Sequence, residues 1–121
     1  MSLNSRKKGS QGELEFARLL NDRFGPTAGA RRSQQYMGTA QSADITSNLP
    51  FHFEVKRCER LQFRDWWSQL QSEATDKIGV LAFRWNNGPW IIAMGVDDWC
   101  GLVRESEFCC ANSASETKTE T

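Results

Sequence analysis

Apolar and polar side chains alternate along residues 51–56, which read Phe-His-Phe-Glu-Val-Lys. Successive side chains of a β-strand point to opposite faces, so this alternation predicts a half-buried strand whose apolar side chains face a core. The opposite face then carries His52, Glu54 and Lys56. Pro50 suits the start of such a strand because it offers no backbone donor.

The segment before this strand predicts a hairpin. Residues 43–46 (Ala-Asp-Ile-Thr) form a short strand-like run, and Asn48 lies in the turn that follows, where it tolerates left-handed backbone. Pairing of the two strands would bring Asp44 close to Glu54 and Lys56. We therefore expect two carboxylates and an ammonium group to converge.

Two segments have the apolar period of an amphipathic helix. The first opens at residues 9–13 (Gly-Ser-Gln-Gly-Glu) and runs to about Phe24, where Gly25 and Pro26 end it. The second covers about residues 62–74. Its apolar stripe consists of Phe63, Trp66, Trp67, Leu70 and Ala74. We interpret this aromatic stripe as core rather than as a platform for stacking bases.

Glu13 lies near the middle of the apolar stripe of the first helix, whereas Glu15 points roughly the opposite way. A carboxylate is costly to bury unless it has a partner, so its position needs a reason. One explanation is a capping box formed with Ser10. The other is that Glu13 faces the same site as Asp44 and Glu54.

The remaining pattern predicts a strand at 78–85, a turn at 86–89 and a returning strand at 90–96. A final helix follows to about Glu105, capped by Asp97 or Asp98. This order of elements predicts an α/β fold with one mixed sheet of four or five strands flanked by helices.

The chain length of 121 residues suits one domain, which we place at 1–110 with a short basic arm at 1–9. Residues 27–42 are polar and predict a loop, with a short strand at 31–36 as an option. The tail at 111–121 lacks apolar side chains and is predicted to be disordered.

Composition narrows the chemistry. The chain has four Cys without a CxxC pair and a single His, so zinc frameworks and disulfide scaffolds are disfavoured, and reduced thiols are expected. No apolar run approaches the roughly 20 residues that span a bilayer, and no signal peptide opens the chain, so we expect a cytoplasmic protein without a membrane partner.

The net charge of zero hides an asymmetry between the halves of the chain. Residues 1–64 contain 11 Lys or Arg against 6 Asp or Glu, and residues 65–121 contain 4 against 9. A basic half around a carboxylate cluster favours a groove that attracts a polyanion and binds a cation. Scattered solvated charge is the alternative.

The carboxylates of Asp44 and Glu54 offer hard oxygen ligands, which suit Mg²⁺, with Mn²⁺ as a substitute. Such an ion lowers the pKa of a water and neutralises charge as a phosphodiester is attacked. Lys56 can orient the water or stabilise developing negative charge. Glu13 can complete the metal site. The four residues together indicate a phosphodiesterase.

Three motifs carry a resemblance to a known family. Lys8-Gly-Ser-Gln-Gly-Glu13, Ala43-Asp44-Ile45 and Phe53-Glu-Val-Lys56 resemble those of the PD-(D/E)xK nuclease superfamily, and in particular its archaeal-type Holliday junction resolvases and their phage-encoded relatives. Ala43 stands where the superfamily name has Pro. The resemblance implies a restriction-endonuclease-like core and a homodimeric, Mg²⁺-dependent endonuclease that cuts four-way DNA junctions.

Carried over by position, the resemblance makes Glu13, Asp44 and Glu54 the metal ligands or their support and Lys56 the catalytic lysine. A basic surface would contact DNA. Its predicted members are Lys7, Lys8, Arg31, Arg32, Gln35, Arg57 and Arg60. A solvated loop would explain the arginines of residues 27–42 equally well. Phage recombination or DNA packaging, in the host cytoplasm, fits the resemblance.

Three other functions stay open. The nuclease could act on nicked, flapped or duplex DNA, the domain could bind DNA without cutting it, or the carboxylates could belong to a protein-interaction module. Trp85, Trp90 and Trp99 are candidates for the dimer interface or for the core. Gln69 could reach the edge of the site, and His52 is interpreted as a solvated neighbour outside the catalytic set.

Overall fold

A computed structural model of the chain describes residues 2–33 and 43–106, with side chains from residue 9 onward. The elements follow one another as α1 (Ser2–Phe24), a 3₁₀ turn (Pro26–Ala28), β1 (Arg31–Arg32), β2 (Ile45–Thr46), β3 (Phe51–Arg57), α2 (Phe63–Glu73), β4 (Ile78–Arg84), β5 (Ile91–Ala93) and α3 (Val96–Glu105). Both predicted amphipathic helices are present, and the second has nearly the predicted bounds.

One five-stranded mixed sheet connects these elements in the order β1-β2-β3-β4-β5. Neighbouring strands are antiparallel except β3 and β4, which run parallel. Parallel neighbours need a long crossover, and α2 supplies it. The predicted hairpin is confirmed, with Ile45 opposite Phe53. The α/β class with a mixed sheet of four or five strands is also confirmed.

The two faces of the sheet are covered by different helices. On one face, Phe16 and Leu20 of α1 pack with Phe53, Val55 and Val80. On the other face, α2 packs on β4 through a second cluster of buried side chains. Its members are Trp66, Leu70, Leu81 and Phe83.

The polar side of β3 lies on the α2 face. Parallel register sets His52 beside Gly79 and Glu54 beside Leu81, which belongs to the α2 cluster. A Cβ on Gly79 would lie 3.1 Å from Cγ of Leu70, so the glycine allows α2 to approach closely. The side of β3 that carries the predicted site is therefore roofed by a helix.

Helix starts differ from the predictions. Helix α1 begins at Ser2 rather than at residues 9–13, so the predicted arm at 1–9 is helical from residue 2 onward. Ser10 lies inside the helix, and the capping box is wrong. Gly95, not Asp97 or Asp98, is the N-cap of α3, and the two aspartates lie in its first turn, where carboxylates favour the helix dipole.

Two predicted segments lie wholly or partly outside the described residues. One is the tail at 111–121. The other is residues 34–42 of the predicted loop, which include half of the optional strand at 31–36. Across the described ranges, no helix combines the length and apolar character needed to cross a membrane.

Candidate active site

The hairpin fixes Asp44 against the backbone of β3. The amide of Asp44 donates to the carbonyl of Phe53 over 3.0 Å. Its carboxylate oxygen Oδ2 accepts from the amide of Val55 over 2.8 Å. Val55 lies between Glu54 and Lys56, so Asp44 is held beside both. The predicted approach of Asp44 to this strand is confirmed.

Glu54 is a buried carboxyl group with 3% of its surface exposed. Burial, which disfavours the charged form, is the main cause that raises its pKa to about 9. The negative charge of Asp44 adds to the effect, as does the nearby carboxyl group of Glu73, whereas Lys56 opposes it. Near pH 7 Glu54 is therefore protonated unless a positive charge offsets its burial.

Helix α2 adds Glu73 to the polar side of β3. Its Oε2 lies 3.9 Å from Nε2 of His52, which in turn lies 3.6 Å from Oε1 of Glu54. Both Nε2 of His52 and Oε2 of Glu73 are buried without a hydrogen-bond partner. Burial lowers the pKa of His52, which keeps the imidazole neutral near pH 7.

The interpretation of His52 as a solvated neighbour is wrong, because only 7% of its surface is exposed. Glu73 was missed, although a signal existed. It follows Trp66 by seven positions and Leu70 by three, which places a carboxylate on the apolar stripe of α2. Gln69, predicted to reach the site edge, is exposed and donates to Oε1 of Glu73 over 3.2 Å.

Glu13 is buried as predicted, with 9% exposed, and it projects from α1. Arg32 donates from Nε to its Oε1 over 2.6 Å. Burial is the largest influence and raises the pKa of Glu13. The hydrogen bond and charge of Arg32 oppose the rise, Asp44 reinforces it, and the charge of Lys56 lowers it. Glu13 thus shares the electrostatic environment of Asp44 and Lys56.

The predicted DNA contacts fall into three groups. Arg31 and Arg60 are exposed on the surface. Arg32 and Arg57 are engaged with the glutamates of α1, since Arg32 pairs with Glu13 and Nη1 of Arg57 lies 3.8 Å from Glu15. The third group lies outside the described side chains and consists of Lys7, Lys8 and Gln35.

Glu15 is the centre of a second polar network, on the α1 side. Its Oε1 accepts from Nη1 of Arg84 and, over 2.9 Å, from the indole Nε1 of Trp90. Trp90 also packs on Phe16, with ring centroids 5.1 Å apart, so it completes the core. Trp85 and Trp99, the other two interface candidates, are 42% and 57% exposed.

The arrangement fits a divalent cation. Among the described residues, one group of three metal-ligating side chains has donor atoms within 4.8 Å of one another, and it consists of His52, Glu54 and Glu73. Glu13 and Asp44 lie outside that group. A bound cation would supply the missing partner of Nε2 of His52 and of Oε2 of Glu73. It would also stabilise the ionised form of Glu54, whose pKa is raised.

Comparison with known proteins assigns the family. Residues 4–120 match the family model described as "Phage putative PDDEXK endonuclease". The chain therefore belongs to this family of phage PDDEXK endonucleases, and the resemblance to PD-(D/E)xK nucleases is confirmed. Among curated proteins, none matches the chain significantly.

A solved structure with a similar fold is that of Hjc from Archaeoglobus fulgidus, described as a Holliday junction resolvase from an archaeal hyperthermophile. The alignment has a TM-score of 0.46 and 20% sequence identity, and it covers 66% of this chain and 73% of the resolvase chain.

Proposed function

We propose that this family member is a divalent-metal-dependent, structure-specific DNA endonuclease that cuts four-way junctions as a homodimer. The observation that carries the proposal is the hairpin, which fastens the carboxylate of Asp44 to the amide of Val55, between Glu54 and Lys56. An aspartate beside a Glu-x-Lys strand is the arrangement from which the sequence predicted phosphodiester hydrolysis.

In this proposal Asp44 and Glu54 hold the cation, with Glu13 completing or supporting the site. Mg²⁺ is the expected ion because carboxylate oxygens are hard ligands, and Mn²⁺ would substitute. When bound, the ion would neutralise phosphate charge and lower the pKa of a water. The raised pKa of Glu54 supports this assignment, since a cation would offset the repulsion from Asp44.

Lys56 is proposed to act on the reacting phosphate. It is half-buried at the end of β3, and its charge lowers the pKa of both Glu13 and Glu54, so it lies within electrostatic reach of both carboxylates. A preorganised ammonium group there would orient the attacking water and stabilise the negative charge that develops on the phosphate.

DNA is proposed to approach over the basic surface predicted from the sequence. Arg31 and Arg60 are exposed and available to phosphates, and Lys7, Lys8 and Gln35 remain proposed contacts. Arg57 and Arg32 are proposed contacts of a different kind, since their ion pairs with α1 would have to rearrange or be shared with DNA. Guanidinium groups bind phosphate oxygens in pairs, which favours the arginines.

A homodimer follows from the proposed task, since one site makes one cut and a junction requires two symmetric cuts. The edge of the sheet at β5 supports this proposal. Three exposed apolar side chains lie on this short strand and at the start of α3. They are Ile92 (55% exposed), Val96 (73%) and Trp99 (57%). Adjacent exposed apolar groups of this kind are typical of protein interfaces.

A gel assay of cleavage tests the proposal. A four-way junction and a linear duplex of the same sequence would be incubated with the full chain, with Mg²⁺ or with a chelator. We expect Mg²⁺-dependent, paired cuts in the junction and little cutting of the duplex. Equal cutting of both DNAs would favour the alternative of a nuclease for nicked, flapped or duplex DNA.

The matched variants are Asp44→Asn in the site and Asp22→Asn on the exposed last turn of α1. Asp44→Asn should abolish cleavage and retain junction binding, whereas Asp22→Asn should cut like the natural chain. Undiminished cleavage by Asp44→Asn would overturn the proposed site. Junction binding without cleavage by the natural chain, under any divalent ion, would leave a non-catalytic DNA-binding domain.

A further inference from the structure

The cleavage mechanism has no use for His52, yet the structure holds its imidazole in a defined place. The side chain is 9% exposed, and Nε2 points between two carboxylates without a hydrogen-bond partner. A buried polar atom of this kind costs free energy unless something satisfies it. Oε2 of Glu73 is buried and unpartnered on the opposite side of the same gap.

The distances suit one ion in this gap. Nε2 of His52 lies 3.6 Å from Oε1 of Glu54 and 3.9 Å from Oε2 of Glu73. The donor atoms of Glu54 and Glu73 lie within 4.8 Å of each other. Ligands about 2.0–2.2 Å from a metal lie roughly 3.0–3.6 Å from one another, so side-chain movements of up to about 1 Å would close the gap around an ion. Movements of this size are within the reach of the Glu73 side chain, which ends helix α2.

The donor set selects the kind of ion. One imidazole nitrogen and two carboxylate oxygens form a mixed set, which favours first-row transition metals over Mg²⁺, because Mg²⁺ prefers oxygen ligands alone. Gln69 binds the other oxygen of Glu73, Oε1, over 3.2 Å, and this contact orients the carboxylate from outside the gap.

We propose that His52, Glu54 and Glu73 form a binding site for a transition-metal dication such as Zn²⁺ or Mn²⁺, next to the site proposed for catalysis. The two sites share Glu54. A carboxylate has two oxygens, so Glu54 can face Asp44 with one and His52 with the other. The inference goes beyond the proposed function, since it concerns metal binding by the free protein and requires neither DNA nor cleavage.

The chain offers a direct probe, because His52 is its only histidine. The imidazole nitrogens of the tag-free, ¹⁵N-labelled full chain give one set of NMR signals. We expect Zn²⁺ to shift the signal of Nε2 and to saturate the shift at one equivalent. Mg²⁺ in large excess should leave this signal nearly unchanged.

The variant Glu73→Gln tests the third ligand, and Asp76→Asn is its control, an exposed carboxylate three positions along the chain. Loss of one ligand should weaken Zn²⁺ binding to His52 at least about tenfold, whereas the control should stay within about threefold. Circular dichroism and thermal unfolding would verify that both variants fold like the natural chain.

Three results would overturn the site. Zn²⁺ could bind without moving the imidazole signals, which would assign it to thiols such as the exposed Cys58. Equal losses of Zn²⁺ affinity in Glu73→Gln and Asp76→Asn would indicate nonspecific electrostatic attraction of the ion. An equal response to Mg²⁺ would exclude the proposed selectivity. None of these results bears on DNA cleavage, so the proposed function stands or falls separately.

Discussion

Two glutamates on opposite sides of the sheet have opposite electrostatic surroundings. Glu15, on the α1 side, receives hydrogen bonds from Arg84 and Trp90 and has Arg57 within 3.8 Å. Glu54, on the α2 side, has other acids and a neutral imidazole as its neighbours, and only the charge of Lys56 opposes them.

The difference separates a structural carboxylate from a functional one. Arginine partners neutralise Glu15 within the chain itself, which leaves it nothing further to bind. Glu54 lacks such a partner among the described residues, so its ionised form awaits a positive charge from outside. A buried carboxylate without an arginine ion pair is therefore the better marker of a metal site than a carboxylate that is merely buried.

The largest effect should come from exchanging each glutamate for glutamine in the cleavage assay. Glu54→Gln should slow metal-dependent cleavage by about 100- to 1000-fold, since removal of one group that stabilises transition-state charge costs a factor of this size. Glu15→Gln should keep most of the rate, provided that it is assayed below its unfolding temperature. Comparable losses in both variants would remove the distinction between the two glutamates.

Stability should respond in the reverse order. Glu15→Gln leaves the partly buried guanidinium of Arg84 without its counter-charge, and we expect a loss of about 1–3 kcal/mol in the free energy of unfolding. Urea denaturation measures this loss, and Glu105→Gln, on the exposed end of α3, is the matched control. A loss no greater than that of the control would show that the network around Glu15 contributes nothing.

The pH dependence of stability should reveal Glu54 in the metal-free protein. Its pKa is about 9 in the folded chain and near 4.5 when unfolded, so the folded state binds the extra proton between these values. This contribution is complete below the unfolded pKa, falls steadily as pH rises above it and is fully lost once pH passes 9. We expect the natural chain to lose at least about 1 kcal/mol relative to Glu54→Gln between pH 6 and 8, where the slope cannot exceed about 1.4 kcal/mol per unit.

Thermal unfolding in a chelator across this pH range measures the comparison. A constant difference between the natural chain and Glu54→Gln would contradict the raised pKa. Added Mn²⁺ should reverse the trend in the natural chain, because an ion that binds only the folded state stabilises it by about 2.7 kcal/mol at 100 times its Kd.

The smallest effect on stability is expected from Arg32→Gln, which leaves Glu13, like Glu54, without an arginine partner. Loss of the 2.6 Å ion pair removes an interaction that holds the pKa of Glu13 down, so that pKa should rise further. The side chain of Arg32 is 40% exposed, and exposed pairs contribute at most about 1 kcal/mol. A pH titration of stability, with Arg31→Gln as control, should show a small loss confined to pH values above the pKa of Glu13.

The sequence was sufficient to predict the elements that depend on period. Alternation located β3, a stripe of apolar positions located α2, and turn residues located the β4–β5 hairpin, where Asn87 has the positive φ of 61° that such turns use. These signals are local, and tertiary contacts did not alter them. The proximity of Asp44 to Glu54 followed from the first hairpin for the same reason.

The local sequence pattern could not predict that the polar side of β3 is buried. Alternation shows that His52 and Glu54 share a face of the strand. The same alternation occurs whether that polar face is covered by a helix or exposed to solvent. The decisive fact is the parallel pairing of β3 with β4, which sends α2 across that face. The start of α1 was also predicted wrongly from a local pattern. Ser10 and Glu13 match a capping box, but both lie in the interior of the helix.

The sheet register has a further consequence for the order of folding. Asp44 and Glu54 are ten positions apart on one hairpin, whereas the pairing of His52 with Gly79 joins residues 27 positions apart. Short loops close at a lower entropic cost and usually form earlier. The carboxylate pair should therefore assemble before α2 covers it, which would let a metal ion reach the hairpin while its polar face is still open to water.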